Sequence, residues 1–276
     1  MDLKLIAKEM RKLEFKTAYG GKSGHIASAM SITEVLTALY FGGILNYRET
    51  EPKWKERDRL IMSKGHGSLA LYSALSMAGY FPKELLKTFC QEGSKLGGEP
   101  KYGDIPGVEA TTGSLGHGLS LGCGMAMALK LDGLCSRIYV ILGDGECQEG
   151  SVWEAAMSAS HQKLNNLTVI LDSNKLQAMG TLDDILSLTP LNEKWKSFGW
   201  EVQEIDGHNI EEICEVLKKD KESKGKKPRL IIANTIKGKG ISFMENVPIW
   251  HYRMPNEEEL ELVLKELELS KEELLG

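Results

Sequence analysis

Apolar positions near the start of the chain recur at helical spacing. Leu3, Ile6, Met10, Leu13 and Thr17 share one stripe, which predicts an amphipathic helix over residues 3–19. A second helix is expected from Ser31 to about Tyr40, where Ser31 and Glu34 stand at capping-box spacing. Arg59–Met62 reads as a short strand and His66–Met77 as a helix, and Pro82 opens another helix at its first turn. Residues 93–114 are glycine-rich, hold two prolines and predict a loop. Leu115–Leu131, apolar with many small residues, predicts a helix packed tightly on a sheet.

The clearest pattern follows. Residues 137–142 form a buried strand, 149–163 a helix and 167–171 a second buried strand, a βαβ unit whose strands run parallel. Residues 200–205 and 230–234 add two strands, with a helix near 209–219 between them. Strands alternating with helices predict an α/β fold: an open, mostly parallel sheet with helices on both faces. The lysine-rich stretch 218–227 is expected to be a solvated turn, and the acidic, leucine-patterned tail from Pro255 a surface helix. There is no internal repeat. Residues 1–276 are expected to form one domain that includes this short helical tail.

Composition changes this picture little. A hydrophobic share of 42% and a charged share of 26% are those of an ordinary globular chain. A net charge of -5 argues against nucleic-acid and anionic-membrane binding, either of which wants a basic face. No run reaches the length of a membrane span, and the charged N-terminus lacks a signal-peptide pattern. Five cysteines scattered without metal-ligand spacing predict reduced thiols and a cytoplasmic location.

Chemistry concentrates around Gly143-Asp144-Gly145, directly after the strand 137–142. Asn174 closes the next strand. In a parallel βαβ unit both carboxyl ends lie at the edge where open α/β sheets bind ligands. Asp144 and Asn174 can therefore converge on one point. Their hard oxygens, with room for phosphate oxygens, suit Mg²⁺ or Ca²⁺, with Mn²⁺ a further candidate. The glycines let backbone N–H groups approach a diphosphate, helped by the helix starting near Glu149. A bare Gly-Asp-Gly is more often just a tight turn; the helix, the second strand and the terminal Asn make this one specific.

The segment from Gly143 to Asn174 resembles the thiamine diphosphate signature in its transketolase form, including Glu149-Gly150 and Glu154-Ala155. The resemblance implies Asp144, Asn174 and the carbonyl of Leu176 as metal ligands, with Gly143 and Gly145 against the diphosphate. It extends over nearly the whole chain. Ser23-Gly24-His25 is similar to the first transketolase histidine motif, which reaches substrate and thiazolium. Ser63-Lys64-Gly65-His66-Gly67 is similar to the second, whose histidine contacts diphosphate and substrate. Thr112-Gly113-Ser114-Leu115-Gly116 is similar to a segment whose backbone touches the cofactor. Lys237-Gly238-Lys239-Gly240, followed by Trp250-His251, places Lys237 near the diphosphate and His251 near the reacting carbonyl. Histidine suits such chemistry, because the reaction moves protons on and off ketose oxygens near neutral pH. A lone histidine is more often a surface or hydrogen-bonded residue, and His161 and His208 are read that way.

The chain departs from the family at four places. Met179-Gly180 replaces Asp-Gly on the thiazolium side, and Tyr252 replaces the glycine after His251. His117 stands where many relatives have Gln. Gly98-Glu99-Pro100 replaces Gly-His-Pro, whose histidine binds the donor's hydroxyl end; an ionised Glu99 cannot donate a hydrogen bond. The sequence ends where the pyrimidine-binding domain of a full-length transketolase would begin, so the resemblance leads us to expect that domain on a separate chain. The resemblance thus implies the thiamine diphosphate-binding, N-terminal subunit of a split transketolase. Its C-terminal partner would complete an α2β2 heterotetramer, and its substrates would be sugar phosphates. Rival readings are a 2-oxoacid-dehydrogenase-α-like or deoxyxylulose-phosphate-synthase-like subunit, and a non-catalytic regulatory or scaffold subunit.

Overall fold

A computed structural model describes residues 2–275. Met1 and Gly276, the ends of the expected 1–276 domain, lie outside the described residues. Helix α1 (Leu3–Gly21) begins at Asp2, whose carboxylate accepts from the Lys4 N–H at 2.9 Å. It runs past its expected end and buries Ala7, Met10, Phe15 and Ala18. The helix expected from Ser31 is instead two, α2 (Ile26–Met30) and α3 (Thr33–Phe41), and no capping box forms. Partners across the fold take both side chains. Ser31 donates to Asp172 Oδ2 at 2.7 Å, and Glu34 binds Arg11 and His208.

Five parallel strands make the sheet: β1 (Arg59–Met62), β2 (Ile138–Gly143), β3 (Leu167–Ser173), β4 (Glu201–Asp206) and β5 (Arg229–Asn234), in the order β1-β2-β3-β5-β4. Side chains of β2 alternate between two cores. Tyr139 and Ile141 join the core under α1–α3, α4 (Ser68–Met77) and α9 (Ile210–Glu222). Ile138, Val140 and Leu142 join the one under α5 (Gly118–Leu131), α6 (Gly150–His161) and α8 (Leu191–Ser197). Both faces are therefore covered, as a parallel sheet requires. The small residues of α5 bring it close: a Cβ on Gly122 would lie 2.6 Å from Val140 Cγ2, and one on Gly118 2.3 Å from Ser63 Oγ.

Several element boundaries differ from expectation. Pro82 precedes a 3₁₀ turn (Lys83–Thr88) rather than an α-helix. His66 lies in a 3₁₀ turn (Gly65–Gly67) ahead of α4. A 3₁₀ turn (Gly145–Gln148) stands between Asp144 and α6. Helix α9 continues through Lys218–Lys221, so only the rest of the lysine-rich stretch is loop. Asp220 anchors that last turn, because Arg137 and Arg229 bind its buried carboxylate at 3.0 and 2.8 Å. Helices α7 (Leu182–Leu186) and α8 lie where none was expected. The tail forms α10 (Glu257–Glu266), with a capping box from Asn256 and Glu259, and α11 (Lys271–Leu275). It packs Val263, Leu264 and Leu267 onto the first core. Among the described residues no helix is long and apolar enough to cross a membrane.

Candidate functional site

The parallel register sets Gly143 beside Asp172, so the segments that follow β2 and β3 leave the sheet together. Asp144 is buried. One carboxylate oxygen accepts from Gly145 N–H at 2.7 Å, and the other accepts from Lys175 N–H. Asn174 Oδ1 accepts from Leu176 N–H at 3.1 Å, and its Nδ2 donates to Asp172 Oδ2 at 2.9 Å. The carbonyl of Leu176 accepts from Lys237 Nζ at 3.1 Å. The three residues expected to hold a metal thus share one edge of the sheet and line one cleft of about 970 Å³. Burial, then the neighbouring Asp172, pushes the Asp144 carboxyl up to about 6. Such an under-compensated acid favours a cation beside it.

Among the described residues no cluster of three His, Cys, Asp or Glu side chains is placed to hold a metal. A cation here would rely on one carboxylate, one amide, one carbonyl and oxygens of its own ligand, a donor set that suits a metal diphosphate. Among the described residues Gln177 Nε2 is buried without a partner, and Gln177 packs against Gly145, where a Cβ would lie 3.0 Å from its Cγ. An unspent N–H donor beside Gly145 fits an anionic ligand.

Three turns bring the histidines together. His25 precedes α2, His66 follows β1, and His251 lies in a 3₁₀ turn (Pro248–Tyr252). Their ring centroids are 5.4 Å (His25–His66), 5.0 Å (His25–His251) and 5.5 Å (His66–His251) apart. Lys237 Nζ lies 2.8 Å from His251 Nδ1 and so joins this cluster to the Leu176 carbonyl. Burial, then the cations Lys237 and Lys64, lowers His25 to about 4. Burial, then Lys237, lowers His251 to about 3. Burial, then Lys64, holds His66 well below the usual imidazole range. Lys237 itself falls to about 8, chiefly through burial and then Lys64. At neutral pH the three rings are uncharged, each with one N–H and one lone pair to offer.

Glu99 borders the same region. It shares a pocket with Ser23, His25, Cys90 and Tyr252. Two hydroxyls on α4 hold its backbone: Ser68 donates to the Gly98 carbonyl at 2.6 Å and Tyr72 to that of Glu99 at 3.3 Å. Its carboxylate lies over bare backbone, since a Cβ on Gly65 would be 2.3 Å from Glu99 Oε2. Burial pushes this carboxyl up to about 7. The same gap lets Gly113, at φ +132°, approach the His66 turn; a Cβ on Gly65 would also meet Gly113 N at 2.7 Å. Ser114 is exposed and Leu115 half-buried beside it.

Two buried acids escaped the sequence reading. Glu146 accepts from Ser63 Oγ, from Gly116 N–H at 2.9 Å and from Gly143 N–H at 3.1 Å, tying three site segments together. Asp172 pairs with Lys64 and accepts from Thr235. Burial alone would raise the Asp172 carboxyl, but Lys64 and the hydrogen bonds hold it below the usual carboxylate range. Other positions lie apart from the cluster. His117, Glu149, Glu154 and His161 are exposed, as is Met179 at 89%. His208 is a hydrogen-bonded residue: Ile236 N–H donates to its Nε2 at 2.8 Å, and its Nδ1 lies 2.9 Å from Glu34.

A parallel sheet with a carboxylate, an amide and glycines at its carboxyl edge defines a nucleotide- or diphosphate-binding α/β protein. A family model described as "Transketolase, thiamine diphosphate binding domain" matches residues 3–273, and the chain belongs to that family. Within it, the chain is of the split, N-terminal-subunit kind. It is 43% identical to an apulose-4-phosphate transketolase subunit of Phocaeicola vulgatus, over 96% of this chain and 93% of that one. It is 45% identical to the 6-deoxy-6-sulfo-D-fructose transketolase subunit SqwG of a Clostridium species, over 97% of each chain. The transketolase structure from Leishmania mexicana superposes with a TM-score of 0.90 at 31% identity, covering 98% of this chain but 42% of that one. The Campylobacter jejuni transketolase gives 0.89 at 32%, covering 98% and 44%.

Proposed function

We propose that this chain works with a separate C-terminal subunit carrying the pyrimidine-binding domain, and that together they transfer a two-carbon ketol unit from a ketose phosphate to an aldose acceptor. The observation that carries this reading is the convergence of Asp144, Asn174 and the Leu176 carbonyl on one cleft, joined through Lys237 to the three uncharged histidines. The named relatives act on a sugar 4-phosphate and a sulfo sugar, which supports a donor with an anionic tail. Residues 1–276 are proposed to act as one domain, in an α2β2 heterotetramer located in the cytoplasm.

In this reading Asp144, Asn174 and the Leu176 carbonyl hold Mg²⁺, with Ca²⁺ or Mn²⁺ able to replace it. The backbone at Gly143, Gly145 and Gly113–Leu115 approaches the cofactor, and Lys237 balances diphosphate charge. When bound, thiamine diphosphate supplies the carbanion chemistry that opens the donor's carbon–carbon bond. The protein orients the donor and moves its protons. His25 and His66 each offer a lone pair to a donor hydroxyl and an N–H to its carbonyl oxygen, and His251, whose Nδ1 faces Lys237, offers its Nε2 N–H. Their low pKa values leave the rings uncharged at neutral pH. Asp144→Ala tests the site. It should abolish metal-dependent binding of thiamine diphosphate in calorimetry of the reconstituted enzyme, with circular dichroism unchanged. Unaltered affinity would refute the assignment.

A further inference from the structure

Asn174 is held from two sides. Its Nδ2 donates to Asp172 Oδ2 at 2.9 Å, and its Oδ1 accepts from Leu176 N–H at 3.1 Å. A flipped amide would set oxygen against a carboxylate and nitrogen against an N–H. Only one orientation satisfies both partners. Asp172 is fully buried at the end of β3 and is itself held firmly. Lys64, 1% exposed, pairs with it and also donates to the Ser28 carbonyl at 2.9 Å. Ser31 donates to Oδ2 at 2.7 Å and Thr235 to Oδ1. The acceptor that Asn174 faces is therefore fixed by the segments that follow α2, β1 and β5.

Resting on the cation-site reading above, we propose that Asp172, charge-compensated by Lys64, is a positioning residue that locks the Asn174 amide so that its oxygen, and not its nitrogen, faces the cation. One lone pair of Oδ1 is used by Leu176 N–H, and the second stays free for the metal. The same geometry explains why the ligand is an amide rather than a carboxylate. An aspartate at 174 would place a second carboxylate oxygen in direct contact with Asp172, with no proton between them.

This reverses the outcome expected from charge alone, by which Asn174→Asp would strengthen cation binding. The measurement is Mg²⁺ affinity by calorimetry, on the enzyme reconstituted with thiamine diphosphate and its C-terminal partner, with thermal melting to check folding. Asn174→Asp should weaken binding about tenfold or more. Asp172→Ser should weaken Mg²⁺ severalfold, and Thr235→Ala, on the other carboxylate oxygen, by less than about twofold. If Asn174→Asp does not fold, the Asp172→Ser and Thr235→Ala pair decides the matter. Asp144→Ala serves as the control: unchanged affinity there refutes the cation site itself. With that control lost as expected, Mg²⁺ binding by Asn174→Asp at or above wild-type strength, or wild-type affinity in Asp172→Ser, overturns the positioning role.

Discussion

Replacing Glu99 with Gln probes the donor pocket through a group whose charge changes in the working pH range. Its carboxyl is pushed up to about 7 by burial alone. The titratable groups facing it are His25, Cys90, Tyr72 and Tyr252, with His66 on the adjoining turn. His25 lies near 4 and His66 lower still, while burial raises Cys90 and Tyr72. Asp144 at about 6 and Lys237 at about 8 also lie in this site, so the limb that belongs to Glu99 is the one removed in Glu99→Gln. If Glu99 reaches the donor, its ionised form should accept from a donor hydroxyl, and that bond should be lost as pH falls through 7. Ionisation rises from about one-tenth at pH 6 to about nine-tenths at pH 8, so kcat/KM for the ketose donor should rise roughly tenfold across that range. Glu99→Gln should be flat over the same limb. At pH 8 it should be about 5–30-fold below wild type, the worth of about 1–2 kcal/mol for turning a charge-assisted hydrogen bond into a neutral one. Glu99→His should shift relative kcat/KM among ketose donors without changing cofactor affinity. The assay is coupled turnover by the reconstituted enzyme. If wild type and Glu99→Gln share the same pH limb, Glu99 does not reach the substrate.

Two further predictions concern the scaffold. Glu14 is fully buried, accepts a hydrogen bond from Thr33, and is raised to about 8, chiefly by burial. The folded chain keeps this proton while the unfolded chain loses it, so stability falls as pH rises from about 4.5 to 8. Glu14→Gln should therefore stabilise the protein by a few kcal/mol at about pH 8.5 and hardly at all at about pH 4.5; equal effects in urea titrations at both pH values would refute this. Gly122→Ala forces a methyl against Val140 and should cost about 1–3 kcal/mol in the same titrations; an unchanged midpoint would mean that α5 shifts freely on the sheet.

The strands were legible because β2 and β3 are buried on both faces and read as unbroken apolar runs. The sheet edge that carries the proposed site was legible because parallel pairing sends Gly143-Asp144-Gly145 and Asn174 to the same side whatever the exact strand ends. What failed was local reading overruled by distant partners. Ser31 and Glu34 have cap spacing, yet their hydrogen bonds go to residues 141 and 23 positions away. Glu146 looked like one more loop acid, because Ser63 and Gly116, which give it meaning, lie 83 and 30 residues off. Helices α7 and α8 are too short to show a full apolar stripe, and α8 is set by the burial of Trp195 against Trp153 and Trp200. His208 was read as a surface or hydrogen-bonded histidine, and it is hydrogen-bonded, although its partners could not be named from sequence.

On the proposed reading this chain holds the metal diphosphate and needs a second chain to work. Turnover of a ketose phosphate with an aldose acceptor should be measured for the purified chain alone, for its C-terminal partner alone, and for the two mixed with thiamine diphosphate and Mg²⁺. The account predicts no turnover by either chain separately. The mixture should show full turnover and a single assembly containing both chains by light scattering. Sustained turnover by the purified chain alone, with no trace of partner by mass spectrometry, would contradict it.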